Sequence, residues 1–533
     1  MVAGQESGFT EVCGPRVGEQ VPQGEHDLLI ISDLHLTLSL DDEDTATDGA
    51  IAAFLDHHRQ HRNRGRPWRL VLAGDIFEFV YPDMAHFLAR YPGPDTPEPD
   101  GAGFLQLWPV QALAWRLRVT MRERAPVFLA LGRFLLAGNR LELIKGNHDV
   151  ELQWATVQRS FLETLAAIMA EAGEAPEPGM LEAAVDFHVW FYYEPGRVYV
   201  EHGNQYDEFN CLPNFLDPAL VTDPNRSFSP MGSRFTTYLT NAFVDYKPQP
   251  EAGAFMNYLE ATGQKWSRKY IGRSLTVLYH SVIGSGLFSE EGWQAGSGRQ
   301  DEGLVAMERL YGIPIETLEA LQDLQSAPVT AQRGWVINRF GLDRAAIVLF
   351  GMLMVALGLI FGLFPFTEPA LLAVAGLGPV ALFVGVLLRL KLKKGRRHHK
   401  WIALAALVGA CVAASLLVPT ATLFGGVLVT YAVFVTTYSF LILPLTNASD
   451  LHRHLVITAN RVGRLLDVPL VVFGHHHRPT ERELQDGRRY LNCGAWANCG
   501  DRGEQAWVEL WRDEGGEDHA ELRIGPARAG GEL

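Results

Sequence analysis

The sequence predicts an α/β fold interrupted by an all-α transmembrane insertion. Three observations carry this expectation. Short apolar runs rich in β-branched residues end abruptly on clusters of Asp, Asn and His, segments with helical spacing separate them, and residues 345–445 are almost free of charge apart from one basic island. The short runs read as buried strands, and their alternation with helices favours α/β layering. A chain of 533 residues is long enough for roughly two or three units. With 47% hydrophobic and 20% charged residues it has the composition of a folded protein, and a net charge of −15 argues against nucleic acid as the main partner. That acidity leaves phosphorylated substrates open, because bound cations set the field at such a site.

Residues 1–26 contain no apolar stretch of signal-peptide type and read as a flexible, polar, Gly-rich tail. The run 26–32 ends at Asp33, and the run 69–73 ends at Gly74 and Asp75. Residues 141–144 lead into Lys145, Gly146 and Asn147, and 469–473 lead into Gly474 and His475. Between the first three runs, 50–61 and 104–134 have helical spacing. Residues 187–193 and 198–201, joined by Glu194-Pro195-Gly196-Arg197, read as a hairpin whose second strand delivers His202. Near the end, 481–484 and 489–493 flank Asp486-Gly487 and are followed by 506–511 and 519–524. These read as antiparallel strands completing a second sheet.

The predicted organisation is a tail over 1–26, a first catalytic part over 27–210, a helical connector or cap over 211–344, the insertion over 345–445 and a second catalytic part over 446–533. Between residues 205 and 344 no catalytic motif stands out. Helical stretches such as 235–246 and 267–282 suit a structural connector and a cap over the site equally. The five cysteines form no CxxC pair, so a reduced cytosolic state fits them better than a disulfide framework.

Residues 345–364 and 370–388 are each near the ~20 apolar residues that cross a hydrocarbon core, and 402–418 with 422–443 form a second pair. Four such runs in succession predict four transmembrane helices. The loop between the pairs carries Lys391, Lys393, Lys394, Arg396, Arg397 and Lys400, which the positive-inside rule assigns to the cytoplasm. Two hairpins then place Arg344 and Asn447 on that same side. An even number of crossings also lets His475 and His477 rejoin ligands that precede the insertion. The expected protein is therefore a multi-pass protein of the cell membrane with a cytoplasmic catalytic unit.

The polar clusters supply seven candidate metal ligands: Asp33, His35, Asp75, Asn147, His202, His475 and His477. A set of carboxylate, amide and imidazole without thiolate suits two divalent cations activating water against a phosphate ester. One carboxylate must bridge such a pair, and Asp75, at the abrupt end of its run, is the natural bridge. Asp33 with His35, and His475 with His477, stand at i and i+2, which on a strand end share one face. His476 points the other way, toward an exposed or supporting role. His148, beside a ligand, is placed to protonate a leaving group near neutral pH. Glu78 is placed to orient it, with Asp149 a further supporting candidate.

In this order, Asp33-x-His35, Gly74-Asp75-x-x-Glu78, Gly146-Asn147-His148-Asp149, His202-Gly203 and Gly474-His475-x-His477 resemble the calcineurin-like metallophosphoesterase superfamily. The resemblance covers residues 27–210 and 467–525. It implies a four-layer α/β/β/α sandwich and a dinuclear centre, most often of manganese, with iron or zinc as other occupants. It assigns the seven ligands above as metal-binding and His148 as the catalytic histidine. The wording Ser32-Asp33-Leu34-His35-Leu36 and Gly474-His475-x-His477-Arg478-Pro479 is similar to UDP-2,3-diacylglucosamine pyrophosphohydrolases. Those typically carry Arg at the position of His148, Asp at that of Asn204, and no spanning helices.

Three functions follow as expectations. The first is a phosphoesterase that hydrolyses a lipid-linked phosphate or pyrophosphate at the cytoplasmic face of the bilayer. The second keeps the enzyme but makes the helices an anchor, with a soluble nucleotide or phosphomonoester as substrate. The third is a transport or sensor protein with a regulatory phosphoesterase domain, which the lack of ionisable residues in the spans disfavours. The oligomeric state is left open.

Overall fold

A computed structural model describes residues 26–37, 42–80, 108–220, 224–233, 236, 297–328, 451–497 and 505–525. The predicted transmembrane block, the tail before residue 26, and the stretches 235–246 (apart from residue 236) and 267–282 lie outside them. The chain divides into two units, Met1–Arg333 with Asp450–Leu533, and Gly334–Ser449. Only the first contains described residues. Among these, no helix is long and apolar enough to cross a membrane.

In chain order the strands are β1 (Asp27–Ile31), β2 (Trp68–Ala73), β3 (Arg140–Ile144), β4 (Val185–His188), β5 (Phe191–Glu194) and β6 (Val198–Glu201). After them come β7 (Leu470–Phe473), β8 (Thr480–Glu483), β9 (Arg489–Asn492), β10 (Gln505–Arg512) and β11 (Asp518–Gly525). The helices are α1 (Asp42–Gln60), α2 (Val110–Glu123), α3 (Ala125–Leu136), α4 (Ala155–Glu171), α5 (Met180–Ala184), α6 (Ser297–Tyr311), α7 (Ile315–Gln322) and α8 (Leu451–Leu465). The protein is thus mixed α/β, as the alternation of runs predicts.

One sheet has the order β11-β10-β1-β2-β3-β4, the other β5-β6-β7-β9-β8. In the first, β1 to β4 are parallel neighbours. In the second, β6, β7 and β9 are parallel. Period-two alternation divides each strand between two cores. Leu28 and Ile30 of β1 and Val71 of β2 cluster with Val200, Val472 and Leu491 of the other sheet. Leu29, Ile31, Leu70 and Leu72 face the opposite way, packing with Phe54, Phe128 and Phe161 of α1, α3 and α4. Tyr199, Val471 and Phe473 pack with Leu304, Leu318 and Leu455 of α6, α7 and α8. Each such side chain, fully buried, contributes about 1.5–3 kcal/mol. Both faces of the central strands are covered, so their open chemistry lies at the strand ends.

Several expectations are corrected. Residues 187–193 are not one strand: the chain breaks at Val189 and Trp190, with β4 in the first sheet and β5 in the second. The hairpin itself is present, since β5 pairs antiparallel with β6. Residues 506–511 and 519–524 belong to the first sheet, because β10 pairs antiparallel with β1 and β11 with β10. Trp507 and Val508 are both buried, so β10 needs cover on both faces and takes an interior place. Within 104–134 the described part forms two helices, α2 and α3, broken at Arg124. Pro126 explains the break: it tolerates a first helical turn but not an interior position.

Candidate metal centre

All seven candidate ligands sit just beyond the carboxyl ends of parallel strands. Asp33 and His35 follow β1, Asp75 follows β2, Asn147 follows β3, His202 follows β6, and His475 and His477 follow β7. This is the edge at which open α/β sheets bind ligands. Five of the eight non-glycine residues with positive φ among the described residues belong to this set: Asp33, His35, Asp75, His475 and His477. Concentrated left-handed backbone is costly and persists only where surrounding contacts hold it. It also corrects a detail, since the pairs at i and i+2 are placed by tight turns and not by the pleat of a strand.

Those contacts are visible. Asp33 N–H donates to Gly74 O at 3.1 Å and His35 N–H to Asp75 O at 2.9 Å. Asp149, fully buried, accepts from Ile76 N at 2.6 Å, Phe77 N at 3.1 Å and Gly146 N at 2.6 Å. It therefore clamps the loop after β2 to the loop after β3. Gly74 has φ +86°, and a Cβ there would collide with the His202 ring. At Gly146 a Cβ would collide with Asp75.

The ligands form two groups, which a third grouping of His35, Asp75 and His148 links. Asp33, His35 and His477 make the first, and Asp75, His202 and His475 the second. His475 and His477 thus part to different groups. Asp75 Oδ1 accepts the His148 N–H at 2.8 Å. Its Oδ2 lies 3.2 Å from His202 Nε2 and 3.8 Å from His35 Nε2, between the groups, where a bridging carboxylate belongs.

Both groups fit a cation. His202 Nδ1 lies 2.9 Å from Ala73 O and donates to it, which leaves Nε2 as the nitrogen that could hold a cation. That nitrogen is 3.2 Å from Asn147 Oδ1 and 3.2 Å from Asp75 Oδ2. Three lone-pair atoms converge there, a repulsive arrangement unless a proton or a cation lies among them. In the first group, Asp33 Oδ1 is 3.0 Å from His477 Nε2 and 3.8 Å from His35 Nε2. Yet Asp33 Oδ1 and His35 Nε2 are buried and make no hydrogen bond among the described residues. Buried polar atoms rarely lack a partner, and a cation would supply one here.

The electrostatics agree. Burial opposes ionisation of Asp75, but His202 and His148 hold its carboxyl well below the usual range. Burial likewise opposes ionisation of Asp33, and His477 and His35 outweigh it. Burial disfavours protonated His202, but Asp75 raises its pKa to about 9. Burial outweighs Asp33 at His477 and lowers its pKa, which favours the neutral ligand form.

His148 and Glu78 stand beside this centre. His148 Nδ1 is 2.7 Å from Glu78 Oε2, and the same oxygen is 3.0 Å from His35 Nδ1. Burial disfavours protonation of His148, yet Glu78 and Asp75 raise its pKa. Glu78 therefore orients both a ligand and the acid candidate. Asp149 commits its carboxyl group to three backbone N–H groups, which suits a positioning role. His476 is half-buried, and its ring lies 5.4 Å from that of His452, apart from both groups. A further cluster, Asp513, Glu517 and His519, lies around the β10–β11 turn, where Asp513 already pairs with His519 at 2.9 Å.

Sequence reasoning missed Asp207, whose Oδ2 is 3.1 Å from His475 Nε2. The available signal was an acid five residues after His202, in a region read as free of catalytic motifs. No protein-family model matches the chain, and no curated protein matches it.

Proposed function

We propose that the chain is a dinuclear metal-dependent phosphoesterase of the calcineurin-like type, with a catalytic unit split by a membrane insertion. The observation that carries this reading is the convergence of seven ligands from five strand-end loops into two groups around Asp75 Oδ2. Helices packed on the outer face of each sheet support the four-layer α/β/β/α arrangement. Manganese is the favoured metal, with iron or zinc suited to the same nitrogen and oxygen donors.

Two divalent cations, when bound, activate water for in-line attack and neutralise phosphoryl charge. Around them the chain orients and protonates. Asp75 is fixed by the His148 N–H so that Oδ2 faces both groups. Glu78 receives the His148 Nδ1–H, which leaves Nε2 to deliver a proton to the leaving oxygen. The His148 side chain is 18% exposed, so a substrate can reach it.

The substrate we propose is a phosphate or pyrophosphate carried on a lipid at the cytoplasmic face. Two features support it: the charge-poor stretch 345–445 with its basic loop, and the way the chain leaves and re-enters the described fold. Ser326 Oγ lies 3.5 Å from His454 Nε2, so the segment between them starts and ends at neighbouring points, as an even number of crossings requires.

The test is manganese-dependent hydrolysis of an aryl phosphodiester and an aryl phosphomonoester by the full chain. Asp75→Ala and His477→Ala should abolish both activities and lower bound metal. Full activity in either variant with metal content unchanged would sink the assigned centre.

A further inference from the structure

We propose that Asp207 is a positioning residue for the second metal position, acting through His475 and, by way of Asn210, through Asn147. This rests on the metal-centre reading above. His475 is held at two points by carboxylates. Its backbone N–H donates to Asp33 Oδ2 at 3.0 Å, and its Nε2 lies 3.1 Å from Asp207 Oδ2. With the Nε2 proton given to Asp207, Nδ1 carries the lone pair that a cation needs. His202 uses the opposite tautomer, since its Nδ1 is committed to Ala73 O. The two rings meet edge to face with centroids 5.2 Å apart. One position is thus served by two imidazoles of opposite tautomer, each fixed by an acceptor on its far nitrogen.

Asp207 is itself anchored. Its Oδ1 accepts the Phe209 N–H at 3.0 Å, and its Oδ2 accepts Asn210 Nδ2 at 2.8 Å. Asn210 Oδ1 in turn accepts Asn147 Nδ2 at 3.5 Å, which turns the Asn147 carbonyl oxygen toward His202 Nε2. One carboxylate therefore sets the orientation of two of the four side chains at the second position. None of the contacts named for Asp207 reaches the first group. Carboxylates that hold a metal-ligating imidazole typically account for 10–100-fold in metal affinity.

The experiment is a manganese titration of the purified full chain, with bound metal counted directly and the coupled two-manganese signal followed by electron paramagnetic resonance. Wild type should take up two ions. Asp207→Asn should bind one of them 10–100-fold more weakly and the other unchanged, so that at limiting manganese the coupled signal gives way to that of an isolated ion. In the His475→Ala chain, adding Asp207→Asn should weaken second-position affinity by less than it does in the wild type, because the route through His475 is already gone and only the one through Asn210 and Asn147 remains; an undiminished effect overturns the His475 route. Wild-type affinity for both ions in Asp207→Asn overturns the proposal. Equal weakening at both positions also overturns it, since that reports general loss of fold. A wild type that binds no pair of ions overturns the metal-centre reading itself, and this proposal with it.

Discussion

Glu78 gives one carboxylate oxygen to two imidazoles, at 2.7 Å from His148 Nδ1 and 3.0 Å from His35 Nδ1. Substitutions at Glu78 and at His148 should therefore differ in kind. The His148 ring is held by Glu78 through Nδ1 and is not one of the seven assigned ligands, so His148→Ala should keep its metal. It should lose about 10²–10⁴-fold in kcat on an alkyl phosphate ester, whose leaving oxygen needs a proton. On a nitrophenyl ester, whose leaving group departs as the anion, the loss should be much smaller. Equal losses on both esters would remove His148 as the acid. Glu78→Ala should add a metal defect of about 10-fold or more at the first position, because His35 loses the partner of its far nitrogen. Parallel kinetics and metal counting on the two variants separate these roles.

At the scale of elements, the site is a set of turns braced against one another at the ends of buried strands. Asp149 is the brace between the loops after β2 and β3, and Asp149→Ala leaves three backbone N–H groups without their acceptor. Each buried donor left unsatisfied costs about 1–3 kcal/mol, so the variant should lose at least about 2 kcal/mol in denaturant unfolding. Unchanged stability would show that the clamp is not structural. Gly74→Ala should keep the strands but displace His202, because the added methyl group enters the space of its ring. Metal titration of that variant should show weakened second-position binding. The ligand positions were legible in the sequence because each parallel strand is a short apolar run that stops at its polar cluster, as 69–73 stops at Asp75. Sheet membership was not legible. β10 has its local partner in β11, but its pairing with β1 joins Leu28 to Leu510, and no local pattern records that choice. Asp207 was hidden for a similar reason, since its partner His475 lies 268 residues away.

For the whole molecule, two constraints meet at the same centre. Asp33 and Asp75 are buried beside five imidazoles, so bound cations should stabilise the fold as well as the chemistry. Chelation should lower the melting temperature and added manganese should restore it, by about 2.7 kcal/mol per site at a hundredfold excess over Kd. The second constraint is connectivity. β6, which precedes residues 329–450, pairs in parallel with β7, which follows them, and Val198 stands opposite Leu470. This sheet therefore closes only if the chain returns near its point of departure, as Ser326 and His454 do. A flexible Gly/Ser linker of about 16 residues spans roughly 20–25 Å and should replace residues 329–450 without opening the sheet. The shortened chain should bind two manganese ions and hydrolyse a soluble aryl phosphodiester with kcat/KM within a few-fold of the full chain. On a diacyl lipid phosphate ester presented in vesicles it should fall at least about 10-fold, because the site no longer rests at the surface where that substrate lies. Equal turnover of the vesicle substrate by both chains would leave residues 345–445 no part in lipid hydrolysis, and would point to a soluble phosphate ester as the substrate.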